Sequence, residues 1–226
     1  MLATEERKMS SGNADIRTDA DLRHWLVLED WYMSNHTRAW LQRTPPEQAA
    51  DTLARIAADA DREPRSPWSV IATGIATAGF TPSGAIAGSG PVNRKAGVRA
   101  ALMLANLNDL RCIAPLARAF APAGSRQGQY QELIEKALTR VLANAEGQAE
   151  TQPYEPEVQT LAREIWAEGG DGKDLSSAHA ELLIAALRFL KTAGADLSVL
   201  NAIVKAPAKK PSRSRVKETA RALLAL

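Results

Sequence analysis

Hydrophobic positions recur at helical spacing along most of this chain, and the clearest stretch is Val98–Phe120, VRAALMLANLNDLRCIAPLARAF. Val98, Ala101, Leu102 and Ala105 fall at i, i+3, i+4 and i+7, and Leu110, Ile113, Ala117 and Phe120 resume the pattern after a polar Asn108-Asp109 turn. Two helices joined by a short turn account for this. Asp109 offers an acceptor to the unpaired amides that open the second helix, and Pro115 lies close enough to that start to bend the helix without abolishing it. Neither helix can bury its apolar stripe alone, so the pair needs neighbours of the same kind.

Upstream, residues 1–18 are polar, charged and without period, which predicts a mobile tail. From Asp19 to Arg43, Leu22, Trp25, Leu26, Glu29, Tyr32, Met33, His36 and Trp40 recur at helical spacing until Thr44-Pro45-Pro46, predicting one helix rich in large rings. Bulky aromatics bury much area from one side, which suits a terminal cap. A helix over Glu47–Ala60 follows, and Ser66-Pro67 opens another carrying Trp68, Ile71, Ile75 and Ala78. Gly79–Pro91, rich in Gly, Pro and Ser, reads as a surface loop.

Downstream of the central stretch, Tyr130, Leu133, Ile134, Ala137, Leu138 and Val141 predict a helix, and Val158, Leu161, Ala162, Ile165 and Trp166 its partner. Gly169-Gly170-Asp171-Gly172 ends that unit. Leu182, Ala186, Phe189, Leu190 and Ala193 share a further face, a turn at Gly194 and Asp196 follows, and Leu197, Leu200 and Val204 continue beyond it. A basic connection then leads to a last amphipathic segment, Val216–Leu226.

The turns carry the evidence for repetition. Asp109 and Asp196 lie 87 residues apart, about twice a period of 43, and one such step from Asp109 lands near 152 and near 66, inside the two other expected turns. Leu110 then matches Leu197, Ile113 matches Leu200, Ala117 matches Val204 and Leu102 matches Phe189. With its small-residue seam, Asp turn and Pro early in the second helix, VRAALMLANLNDLRCIAPL resembles the HEAT consensus, a two-helix repeat related to armadillo repeats. The resemblance is good over Arg94–Phe120, fair over Ser177–Leu226 and weak before Gly79. It implies an all-α fold: an α-solenoid of about four antiparallel helix hairpins with an N-terminal aromatic capping helix, one domain over 19–226. It carries no catalytic residue with it, and implies a scaffold whose stacked helices present a concave surface to partners.

Composition agrees with helices. Ala and Leu are abundant while aromatics make up 5%, and strands favour β-branched and aromatic residues. The net charge of +2 is too mild to announce a nucleic-acid partner. Cys112 stands alone in an apolar helical stretch, which predicts a packed, inert thiol and a reducing compartment. With no signal-peptide pattern and no window near the about 20 apolar residues of a membrane span, a cytoplasmic protein without membrane attachment is expected.

Charge is unevenly placed. Lys205, Lys209, Lys210, Arg213, Arg215 and Lys217 crowd a Pro-containing connection, and Arg94, Lys95 and Arg99 adjoin the Gly-rich loop. Extended cations of this kind neutralise phosphates or an acidic protein surface without a pocket, so these nine residues are the candidate binding set. Glu146, Glu150, Glu155, Glu157, Glu164, Glu168 and Asp171 form an acidic stretch relieved mainly by Arg163. An acidic unit beside a basic one opposes a continuous nucleic-acid groove and favours a protein partner.

Enzymatic chemistry finds little footing. SGAIAGSGPVNRK lacks the order of a phosphate-binding loop, and His24, His36 and His179 form neither HExxH nor a His-Glu pair, so neither nucleotide nor metal nor any other cofactor is expected. The alternative to a scaffold is a nucleic-acid-binding HEAT-like protein: HEAT-like DNA alkylpurine glycosylases set aromatics and an Asp on a basic concave surface, the role Trp25, Trp31, Tyr32, Trp40 and Asp30 would fill. Packing of those rings against the Glu47–Ala60 helix is the competing explanation.

Overall fold

The computed structural model of the protein describes residues 16–28, 34–58, 90–120, 128–145, 151–168 and 174–225, with the side chains of 90–94 and 128–130 excepted. Among these residues are ten α-helices, two short 3₁₀ turns and no strand. The all-α expectation is met. The expected helix from Ser66, residues 79–89 of the expected loop, and Asp30, Trp31 and Tyr32 lie outside the described residues.

Helix α1 (Asp19–Leu28) opens on a reciprocal cap. Thr18 Oγ1 accepts the Asp21 N–H at 3.1 Å, while Asp21 Oδ2 accepts the N–H groups of Thr18 (2.9 Å) and Arg17 (3.1 Å). These bonds hold the Asp21 carboxyl below its ordinary range. A single helix over Asp19–Arg43 is not what forms, because Ser34 is extended and caps a second helix, α2 (Asn35–Arg43), by accepting the Thr37 N–H at 3.2 Å. Ser is a strong N-cap and a weak interior residue, so the chain restarts there. Thr44 closes α2 by donating both its N–H and its hydroxyl to the Trp40 carbonyl. Pro46 then opens α3 (Pro46–Ala57), where its missing N–H costs nothing.

Helix α4 (Gly90–Asn106) starts earlier than its hydrophobic pattern suggests, with Gly90-Pro91 inside its first turn. Ala100 to Ala105 are buried consecutively, so this helix has neighbours on every side, and its alanines let them approach closely. It ends at Asn108, whose φ of 57° allows the N–H groups of Asn108 and Asp109 to reach the Ala105 and Leu104 carbonyls. A 3₁₀ turn (Leu110–Cys112) leads into α5 (Ile113–Ala119). Pro115 sits in the first turn of α5, where no intrahelical donor is lost.

The remaining helices are α6 (Gly128–Asn144), α7 (Glu155–Glu168, preceded by a 3₁₀ turn at Gln152–Tyr154), α8 (Ser177–Thr192), α9 (Ser198–Lys205) and α10 (Pro211–Ala225). Like α4, α8 is buried nearly all round, from Ala180 through Leu190 with Glu181 and Arg188 as the exceptions. Packing follows an alternating order. Helix α1 lies on α4, α4 on α6, α6 on α8 and α8 on α10, while α5 lies on α7 and α7 on α9. Between the two series α3 packs on α4, α5 on both α4 and α6, α7 on α8 and α9 on α10.

Candidate functional site

The basic connection between α9 and α10 is largely occupied by the fold itself. Arg213 is only 7% exposed. Its guanidinium lies 4.6 Å from the Trp166 ring centroid and donates to the Trp166 carbonyl at 2.9 Å, near the C-terminal end of α7. Lys217 Nζ reaches back 2.6 Å to the Ala206 carbonyl that closes α9, and Arg215 pairs with Glu181. Asp174 accepts the Ser212 and Arg213 N–H groups at 3.3 Å each, occupying the positive end of α10. These amides, with that of Leu175, hold the Asp174 carboxyl below its usual range against the opposing pull of burial. Lys205, Lys209 and Lys210 are exposed, and their ammonium groups have no hydrogen bond or ion pair among the described residues.

Two residues of the second basic cluster also bond to the fold, one of them buried. Arg99, 2% exposed, donates to the Leu26 carbonyl at 2.7 Å, and Lys95 donates to the Val27 carbonyl at 3.0 Å. Both close the C-terminus of α1. The Arg94 side chain is outside the description. Helices α6 and α8 stand between α4 and α10 in the packing order, so neither cluster packs directly against the other's helix. Five of the nine candidate residues are therefore engaged within the fold. An apolar-looking helix position gave no sign of this for Arg99, although a cation one helix away from a bare C-terminus is a recognisable cap once the packing is known.

The acidic stretch is relieved differently from the sequence expectation. Arg118 of α5 pairs with Glu157, and His179 approaches Glu168 at 2.8 Å. Glu155 accepts from Gln159 (2.9 Å) and from the Asp196 N–H (3.3 Å), while Arg163 binds Gln159 rather than an acid. Between α5 and α7 runs an open groove of about 440 Å³, lined by Ala117, Phe120, Pro156, Thr160 and Leu161 with the Arg118–Glu157 pair and Glu164 at its edge. Among the aromatics, Trp25 stacks on His36 with ring centroids 4.0 Å apart, and Trp40 is buried. Cys112 is buried, and burial, with the nearby Asp109 charge, pushes its thiol up to about 12.

Sequence reasoning missed Glu135, whose carboxyl lies between α6 and α8 beside His179. An acid at a mostly exposed-looking register gives no signal until the neighbouring helix is placed. Among the described residues, no group of three His, Cys, Asp or Glu side chains is arranged to hold a metal ion, and no helix is long and apolar enough to cross a membrane. The described residues form an all-helical protein in which several charged side chains join one helix to another. The chain matches no protein-family model, no curated protein and no solved structure.

Proposed function

We propose that this chain is a HEAT-like helical-repeat scaffold that binds another protein and performs no chemistry of its own. The observation that supports it most is the packing order: α1, α4, α6, α8 and α10 each meet the next in one series, α5, α7 and α9 in a second, with each helix of the second series resting on the following member of the first. A stack of two-helix units produces that order, since each unit contacts only its neighbours. The two turns at Asn108 and Gly194 support it independently. At both, the residue with positive φ and the one after it donate to carbonyls three and five positions back, and an Asp then caps the next helix through the N–H two residues on.

Partner contact falls on the exposed Lys205, Lys209 and Lys210 and on the α5–α7 groove, where apolar lining meets a charged edge. A nucleic-acid role draws less support, because three exposed lysines neutralise few phosphates and salt-dependent affinity scales with that number. Crosslinking of a captured partner, mapped by mass spectrometry, tests this reading. Crosslinks should start from Lys205, Lys209 and Lys210, and capture should weaken when all three become Glu. Salt-sensitive DNA binding with release of a damaged base, lost in Trp25 or Trp40 variants that remain folded, would replace the scaffold with the glycosylase alternative.

A further inference from the structure

Three titratable side chains meet where α6, α7 and α8 converge. His179 is fixed in the first turn of α8, its backbone N–H donating 3.0 Å to the Ser176 cap. Its Nδ1 lies 2.8 Å from Glu168 Oε2, on the last residue of α7, and its Nε2 lies 3.6 Å from Glu135 Oε1 on α6. The Phe120 ring stands edge-on to the imidazole, 5.6 Å between centroids. The three side chains are only 12% to 21% exposed, and both carboxylate oxygens that face the ring are buried without an aligned hydrogen bond.

A neutral imidazole carries one N–H, so one of two flanking carboxylates must face a lone pair, whereas an imidazolium donates to both sides. Among the described residues, the neighbouring charges have partners of their own. Lys136 pairs with Glu132 on α6, Arg118 of α5 with Glu157, Arg215 of α10 with Glu181, and Arg213 lies over Trp166. We propose that Glu135, His179 and Glu168 form a proton-operated latch: with a proton bound the group ties α8 to α6 and to the end of α7, and with it lost two buried carboxylates repel and the first turn of α8 loosens. Burial holds the Glu135 carboxyl above its ordinary value, and Glu168 and Glu132 push it further up against the opposing pull of His179 and Lys136, so Glu135 keeps its proton to higher pH than an isolated carboxylate. A carboxylate at the negative end of α7 adds to the strain when unpaired.

Backbone hydrogen exchange on the full chain reads the latch directly. Corrected for intrinsic exchange, amides of residues 177–180 and of the last turn of α7 should exchange about tenfold faster at about pH 8 than at about pH 6. His179→Gln should remove that difference, and Glu135→Gln should shrink it while leaving the packing in place. If His179→Gln does not fold, the ring signal of His179 in the wild-type protein decides: its titration must share the midpoint of the exchange change. A wild-type protein with no pH difference, a difference that survives in the folded His179→Gln variant, or a ring that titrates at another midpoint overturns the proposal.

Discussion

Arg99 lies buried in α4 with its guanidinium 2.7 Å from the Leu26 carbonyl, so one helix supplies the cation that the preceding helix lacks at its own C-terminus. The same device recurs at Arg140, which donates to the Ala105 carbonyl (2.8 Å) and Asn106 (2.9 Å), and at Lys217 on the end of α9. Truncating Arg99 to Ala leaves a cavity and takes the guanidinium donor away from the Leu26 carbonyl. Urea unfolding should show a loss of about 3 kcal/mol for Arg99→Ala, and about 1–2 kcal/mol for Arg99→Met, which keeps most of the volume.

By contrast, Lys209→Glu and Lys210→Glu change exposed side chains whose ammonium groups have no hydrogen bond or ion pair among the described residues. Both should leave stability within about 0.5 kcal/mol of the parent. That result separates exposed cations from structural ones inside a single basic run. A loss as large as that of Arg99→Ala would mean the connection is packed after all.

Gly194 adopts a φ of +71°, and an added Cβ there would meet nothing within 4 Å. Its cost is purely one of backbone conformation. Gly194→Ala should destabilise by about 1–2 kcal/mol in thermal or urea unfolding, with Gly194→Asn costing less. At the matching turn, Asn108 already bears a side chain at φ 57°, so Asn108→Gly should be close to neutral apart from the contact of its Oδ1 with Asn144 Nδ2 at 3.1 Å.

Those two turns show how much of the fold was legible in the sequence. Polar Asp residues at a double period located both, and each Asp accepts the N–H two residues on, at the start of the helical segment that follows. The register of the preceding helices was legible only to within one residue. Capping bonds pair Leu104 with Leu190, so Met103, not Leu102, occupies the place of Phe189, because Ala195 is an extra residue between the positive-φ position and the Asp. Basic residues were legible as charge and illegible as caps: a guanidinium at an interior helix position looks the same in sequence whether it meets solvent or a carbonyl. His179 was judged against zinc signatures within its own segment, whereas its partners Glu135 and Glu168 come from two other helices.

Cys112 is fully buried, with its thiol held high by its surroundings. The thiolate is the reactive form, so a thiol reagent should label it only as fast as the chain opens. Labelling in native buffer should be slower than in urea by roughly the unfolding equilibrium constant, about 10³-fold or more. Fast labelling of the folded protein would place α5 among locally unstable segments.

Asp109 joins three parts of the chain through Arg111. Its Oδ1 accepts the Arg111 N–H at 2.9 Å, and the Arg111 guanidinium bridges Asp109 Oδ2 (2.7 Å) and Asp51 Oδ1 of α3 (2.6 Å). Burial pushes the Asp109 carboxyl up, but the Arg111 side-chain and backbone donors and its positive charge outweigh that and hold it below its ordinary value. Arg111 is held well above its own ordinary value, first by Asp109 and then by Asp51. A carboxyl lowered in the folded state binds fewer protons there than when unfolded, so its contribution is complete above the unfolded value of about 3.9 and disappears as pH falls through the folded value. Asp109→Asn should therefore cost stability at neutral pH and progressively less toward acid, the two unfolding curves converging as pH falls through the folded value. Asp109→Ala, which also deletes the cap, should cost about 1 kcal/mol more or less independently of pH in addition. Asp51→Asn tests the longer arm: Asp51 is exposed, and its pair with Arg111 is screened by water, so the loss should stay below about 1 kcal/mol and shrink further in high salt. Parallel pH curves for Asp109→Asn and the parent would show that the Arg111 contact contributes no charge-dependent stability.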